Sequence, residues 1–191
     1  MDKAAPKHKT KELAVRSVLA AAFPDYDWVF DRRLGNRSLF RGDPKYRPDA
    51  VVQSSWRVLI VEVDENRHVR YSCSGERARE ADIVQYYRRL DERYEVVLIR
   101  FNPDSYLDPR TAKRTRSPWK HSAKQAGMVL ADEEEWKRRT DCLVNVVTRY
   151  MVPAGEEGHV QVPPAELDPF APVPPDARPE DRCLFTVELF Y

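Results

Sequence analysis

The chain lacks most of the features that would place it outside the ordinary soluble classes. No apolar run approaches the ~20 residues needed to span a bilayer. The opening Met1-Asp-Lys-Ala-Ala-Pro-Lys has no apolar core of the signal-peptide kind. Both absences point away from a membrane partner and toward an intracellular location, cytoplasmic or nuclear. The three cysteines, Cys73, Cys142 and Cys183, are odd in number and widely spaced, which argues against a disulfide framework and fits a reducing compartment. A net charge of +1, from 32 basic and 31 acidic residues, provides no global basic field of the sort that announces nucleic acid, so local clusters decide that question. There is no internal repeat. The 191 residues, 42% hydrophobic and 33% charged, suffice for one domain with a sizeable core.

Hydrophobic spacing divides the chain. Thr10 can cap a helix running to about Phe23, with Leu13, Val15, Val18, Leu19 and Ala22 at helical intervals. Trp28–Phe30 and Ser38–Phe40 read as short strands around a Gly35-Asn36 turn. Asp49–Gln53 and Arg57–Asp64 follow as strands about a Ser54-Ser55 turn, and the uninterrupted Val58-Leu-Ile-Val run suggests a strand buried on both faces. A basic, flexible stretch from Asn66 to Gly75 leads into a helix over about Glu76–Glu92, with Ile83, Tyr87 and Leu90 inward. Glu95–Phe101 is a further apolar strand, and the strand-helix-strand spacing predicts a parallel crossover with the Arg57–Asp64 strand. Asp108–Lys124 reads as basic and irregular, and a third helix spans roughly Asp132–Val152 on a Trp136, Leu143, Val147, Tyr150 stripe. Residues 1–152 thus form the core domain, 153–183 a proline-rich linker, and 184–191 a strand returning to the core sheet.

Chemistry concentrates in Arg47-Pro48-Asp49 and in Glu62-Val63-Asp64 with His68 four residues beyond. Side chains alternate across a strand, so Glu62 and Asp64 share one face and Val61 and Val63 the other. If the two strands form a hairpin, Asp49 joins them. Converging carboxylates are costly unless a hard cation neutralises them, and a histidine alongside can take a proton near neutral pH. The expectation is that Asp49, Glu62 and Asp64 bring their oxygens close enough to share one Mg²⁺ or Mn²⁺. The blander alternatives are a solvated strand face for Glu62 and Asp64, a surface histidine at His68 among Arg67 and Arg70, and an exposed helix charge at Glu12.

Helix, antiparallel strands, crossover helix and strand, with carboxylates on adjacent central strands, resemble the PD-(D/E)XK nuclease superfamily. Within it the chain resembles the branch of very-short-patch-repair endonucleases, over roughly residues 10–106. The resemblance implies an α/β fold in which a mixed central sheet is flanked by helices, a restriction-endonuclease-like core. It also implies a divalent-metal-dependent endonuclease acting on DNA. Asp49 and Glu62 match the metal-binding acids; Asp64 stands where the superfamily's lysine would lie, so that lysine is absent. His68 matches a histidine that assists the water, and Glu12 an acid recruited from the first helix. Asp64 is thus a ligand and also part of the catalytic set with His68 and Glu12. That branch carries a structural zinc, but Gly75 stands where a second cysteine near Cys73 would help, so none is expected here.

Arg79, Lys113, Arg114, Arg116, Trp119 and Lys120 are the candidate DNA contacts, the bases for phosphates and the indole for stacking. Arg79 serves equally as the partner of an acid in the site. Many nucleases of this fold act as homodimers; nothing in the sequence identifies an interface. Two other readings compete: a catalytically degenerate DNA-binding module, prompted by the missing lysine, and an interaction protein whose working part is the proline-rich segment.

Overall fold

The computed structural model describes residues 10–33, 46–65, 73–108, 111–123, 127–151 and 184–189. Helix α1 (Thr10–Ala22) is followed by strands β1 (Val29–Phe30), β2 (Ala50–Gln53) and β3 (Arg57–Val63). Helix α2 (Cys73–Leu90) crosses over to β4 (Glu95–Phe101). Two small hairpins follow, β5 (Tyr106–Leu107) with β6 (Arg114–Thr115) and β7 (Trp119–Ser122) with β8 (Gly127–Leu130). Helix α3 (Glu133–Met151) and strand β9 (Leu184–Leu189) complete the fold.

The main sheet has five strands in the order β1-β2-β3-β4-β9. β1, β2 and β3 are antiparallel neighbours, whereas β3, β4 and β9 run parallel. The α/β class with a mixed sheet between helices is therefore the architecture observed. The α2 crossover joins two parallel strands, as strand-helix-strand spacing requires. Every residue of β3 is buried, the signature of a central strand covered on both faces. On one face Val51, Val58, Ile60, Val96 and Leu98 pack under Ile83 and Tyr87 of α2. On the other, Leu59, Val61, Val63, Val97, Ile99 and Phe101 pack against Val15 and Leu19 of α1 and Trp136, Leu143 and Val147 of α3.

Three features differ from expectation. α2 begins at Cys73, so the last residues of the stretch read as flexible are helical; a single glycine such as Gly75 is tolerated in a helix. Leu90, expected inward, is 48% exposed at the helix's last position, outside the cluster that Ile83 and Tyr87 join. The basic segment is not irregular: it is built into the two hairpins. The expected strand Ser38–Phe40, the turn before it, the flexible stretch from 66 to 72 and the proline-rich segment lie outside the described residues.

The second hairpin overturns the stacking role expected of Trp119. Its indole is 9% exposed and meets Trp136 edge-to-face at 5.2 Å, and Trp136 in turn meets Phe101 at 5.9 Å. Large aromatic area drives such a side chain inward, and edge-to-face geometry adds to the gain. Truncating it should leave a cavity: Trp119→Ala is expected to lower the unfolding free energy by about 3–5 kcal/mol in urea melts. Trp119→Phe, which keeps most of the ring packing, should cost far less. A Trp119→Ala protein as stable as wild type would return the indole to the surface.

Candidate functional site

The carboxylates gather at one end of the central strands for a reason set by β-alternation. Val58 and Ile60 face α2, so Glu62 and then Asp64 continue on that face. Val51 faces α2 as well, which brings Asp49 to the same side. Ala50 pairs with Val61, and one step further the Val63 amide donates to Asp49 Oδ2 at 2.7 Å. Asp49 is thereby pinned beside the strand that carries Glu62. Glu62 and Asp64 are 6% and 1% exposed, so neither belongs to a solvated strand face.

Buried carboxylates need positive partners, and two arginines supply them. Arg79 of α2 donates from Nη2 to Glu62 Oε1 at 2.8 Å. Its guanidinium also lies 5.4 Å from the centre of the Tyr46 ring. Arg100, Cα partner of Glu62 across the parallel ladder, donates from Nε to Asp64 Oδ2 at 2.5 Å. Glu62, Asp64, Arg79, Glu80 and Arg100 line a narrow cleft floored by Ile83 and Leu98.

Desolvation controls the acidity of this group. Burial pushes Asp49 up from 3.8 to about 7, with Glu12 and Asp64 adding to the rise, while the Val63 amide and Arg79 oppose it. Glu62 is pushed from 4.5 to about 8, again chiefly by burial; Arg79 pulls it back, and Asp49 and Asp64 push it further. Glu12 acts on both Asp49 and Glu65, which places it at the border of the cluster, as its helical position predicts.

The donor set suits a hard divalent cation in part. Asp49 and Glu62 are neighbouring oxygen donors whose repulsion and burial a cation would relieve, and Mg²⁺ commonly uses one or two carboxylates together with water. The expected three-acid set is not assembled, however. Among the described residues no three His, Cys, Asp or Glu side chains form a group able to hold a metal ion. Asp64 is engaged by Arg100 instead. No family model, curated protein or solved structure matches the chain. The chemistry of the cleft therefore rests on its own side chains.

The other expected residues divide. Arg79 is the partner of an acid, one of its two anticipated roles. Lys113, Arg114 and Lys120 are exposed on the hairpins and Arg116 on the connection between them, while Trp119 is core. His68 lies outside the described residues. No described helix is long and apolar enough to cross a membrane.

Residues passed over in the sequence build a second polar cluster beside the first. Lys11, 5% exposed, reaches Asp104 Oδ1 at 2.6 Å and Glu65 Oε2 at 3.6 Å. Ser117 Oγ donates to the same Asp104 oxygen at 3.3 Å. Arg139, fully buried on α3, donates to Glu135 Oε1 at 2.7 Å, to the backbone carbonyls of Asn102 and Asp104, and to that of Arg116 at 2.9 Å. A signal was available: Lys11 stands four and eight residues before Val15 and Leu19, and Arg139 three after Trp136 and four before Leu143. Both therefore lie on buried stripes.

The raised acidities make a prediction whose sign is fixed. An acid with a higher pKa in the fold holds a proton that the unfolded chain releases, so its contribution to stability is full below the unfolded value and lost as pH rises through the folded one. From 3.8 and 4.5 unfolded to about 7 and about 8 folded, the metal-free protein should lose stability steadily between about pH 4 and about pH 8. Asp49→Asn keeps an acceptor for the Val63 amide and removes the charge. In urea titrations across that range it should flatten the profile and be the more stable protein at the alkaline end, by on the order of 1–3 kcal/mol. A wild-type profile that rises over the window would contradict the burial of these charges.

Proposed function

We propose that the chain is a divalent-metal-dependent endonuclease that hydrolyses phosphodiester bonds of DNA on a restriction-endonuclease-like core. The observation that carries this reading is the position of Asp49, half-buried just before β2 and held by the Val63 amide, beside the buried Glu62 of β3, where burial raises the pKa of both acids and Asp64 is held nearby. Two such carboxylates, Glu62 lining the cleft and Asp49 beside its strand, are poised to exchange protons for a cation. When bound, Mg²⁺ or Mn²⁺ would polarise the phosphate and lower the pKa of a bound water. Asp49 and Glu62 are the proposed protein ligands, with Asp64 the third acid of the set. Glu12 adds negative charge at its border. His68 remains the proposed proton acceptor on the strength of its spacing from Asp64. Lys113, Arg114, Arg116 and Lys120, exposed on the hairpins and the connection between them, would bind phosphates along the DNA, and a homodimer would present two sites to two strands.

The second reading is the catalytically degenerate DNA-binding module. The salt bridges that engage Glu62 and Asp64 favour it, together with the missing lysine. The two separate in one experiment. Supercoiled plasmid incubated with the protein should be nicked or linearised with Mg²⁺ or Mn²⁺ and left intact with EDTA. Asp49→Asn should abolish cleavage while leaving DNA affinity equal or higher, since it removes a negative charge facing the phosphates. His68→Ala should slow single-turnover cleavage by about 10²–10⁴-fold. Wild-type protein that binds DNA but cuts none with either metal would establish the binding module.

The hairpins carry a separate test. Replacing Lys113, Arg114 and Arg116 with alanine should weaken DNA binding and reduce the log–log salt slope by about 0.9 for each phosphate that is no longer neutralised. An unchanged slope would make these residues ordinary surface charges.

A further inference from the structure

The two ion pairs of the cleft differ in a way that assigns them different work. Asp64 and Arg100 are both sealed, with side chains 1% and 12% exposed, and Arg100 sits within a strand paired on both sides. Glu62 is 8% exposed, but Arg79 keeps 27% of its side chain open and reaches in from α2 on a long, flexible stem. Among the described residues, Nη2 is the only guanidinium nitrogen of Arg79 that donates to a carboxylate. A guanidinium has five N–H donors in a planar fork suited to two oxygens of a phosphate. The cleft is thus more than an acidic patch: the Glu62 and Glu80 carboxylates, the half-open Arg79 guanidinium and the Asp64–Arg100 ion pair line the same opening.

We propose that Arg79 serves two partners in turn: the Glu62 carboxylate in the metal-free protein, and a phosphate group once Glu62 has exchanged it for a divalent cation. This rests on the metal-dependent reading above. While Arg79 neutralises Glu62, it competes with the cation for that carboxylate. Released, it adds positive charge beside the position a phosphate would take. Cation and phosphate therefore bind with positive coupling, and neither alone occupies the cleft well. Arg100 stays on Asp64 throughout, which keeps one acid neutralised and leaves Glu62 as the exchangeable one.

Isothermal titration of the full chain measures this without any turnover. Mg²⁺ is titrated into protein alone, with inorganic phosphate, and with a deoxydinucleotide phosphodiester; each anion is then titrated with and without Mg²⁺. In wild type the anion should tighten Mg²⁺ binding, and Mg²⁺ should tighten anion binding by the same factor, about 5–150-fold, because linkage is reciprocal. Arg79→Gln should bind Mg²⁺ alone more tightly than wild type and lose the coupling. Arg79→Lys, which keeps the charge and loses the fork, should restore the weaker wild-type Mg²⁺ affinity and only part of the coupling. Coupling to phosphate without coupling to the dinucleotide supports the role of Arg79 and counts against a phosphodiester substrate. Equal Mg²⁺ affinity in wild type and Arg79→Gln, with phosphate binding unchanged, overturns the proposal and leaves the metal site standing. No Mg²⁺ or Mn²⁺ binding by any of the three overturns both. Should Arg79→Gln fail to fold, wild type decides alone: independent binding of cation and anion overturns the exchange.

Discussion

Charge placed at the end of a strand that is covered on both faces must be answered locally, and much of this molecule is arranged around that requirement. β3 is buried along its whole length, yet its face toward α2 ends in Glu62, with Asp64 just beyond. Removing a carboxylate from water costs several kcal/mol even after relaxation, so the surroundings are constrained. α2 must bring Arg79 over Glu62, and β4 must place Arg100 opposite it in the parallel register. Asp49 can enter only where the Val63 amide receives it. The apolar packing of Ile83 and Tyr87 on the sheet fixes the helix position on which the Arg79 bond depends.

The other polar cluster extends the same logic to the opposite layer. Lys11 ties the start of α1 to Asp104, just past the end of β4, and Arg139 ties α3 to the same turn and to the carbonyl of Arg116. Asn102 contributes from within: its amide donates to the Leu189 carbonyl and its side-chain oxygen accepts from the Asp104 amide. The exposed basic hairpin is thereby held in fixed relation to the strand ends where the carboxylates lie. Breaking a buried pair by removing one partner costs about 3–5 kcal/mol, far more than a typical surface ion pair, so these links set the relative position of the parts.

The regular elements were legible because each rests on a local period. The Val58–Val61 and Glu95–Phe101 runs, the helical stripe of Val15 and Leu19, and the Trp136, Leu143, Val147, Tyr150 stripe all occupy the expected elements. The placement of Asp49 beside the strand of Glu62 was legible too, from alternation and a hairpin, although the three acids do not assemble into one metal-holding group among the described residues. What local reasoning missed was the second counter-ion, Arg100, and which acid Arg79 would meet. Arg100 reads as one charge in an apolar strand until the register sets it beside Glu62, and Arg79 as one of several arginines on a helix. Trp119 misled because its neighbours in sequence are basic and exposed, while the hairpin turns the indole onto Trp136. A short segment with two faces cannot be assigned from its average polarity.

The ion pairs also bear on why the cleft is polar at all. Replacing a buried ion pair with well-packed apolar residues is often neutral or stabilising by about 1–4 kcal/mol. The fold would therefore lose little if Glu62 and Arg79 were both aliphatic, continuing the face that Val58, Ile60, Ile83 and Leu98 already form. The same holds for Asp64 and Arg100. Asp49 adds a third carboxylate at a position where burial and its acidic neighbours raise its pKa and only one backbone amide and Arg79 oppose them, an arrangement that works against the stability of the metal-free protein near neutral pH. Packing alone does not account for three costly acids at one end of one sheet. On the metal-dependent reading proposed above a cation would account for them, and the asymmetry between what the fold needs and the acids gathered at this sheet end is the argument that reading rests on.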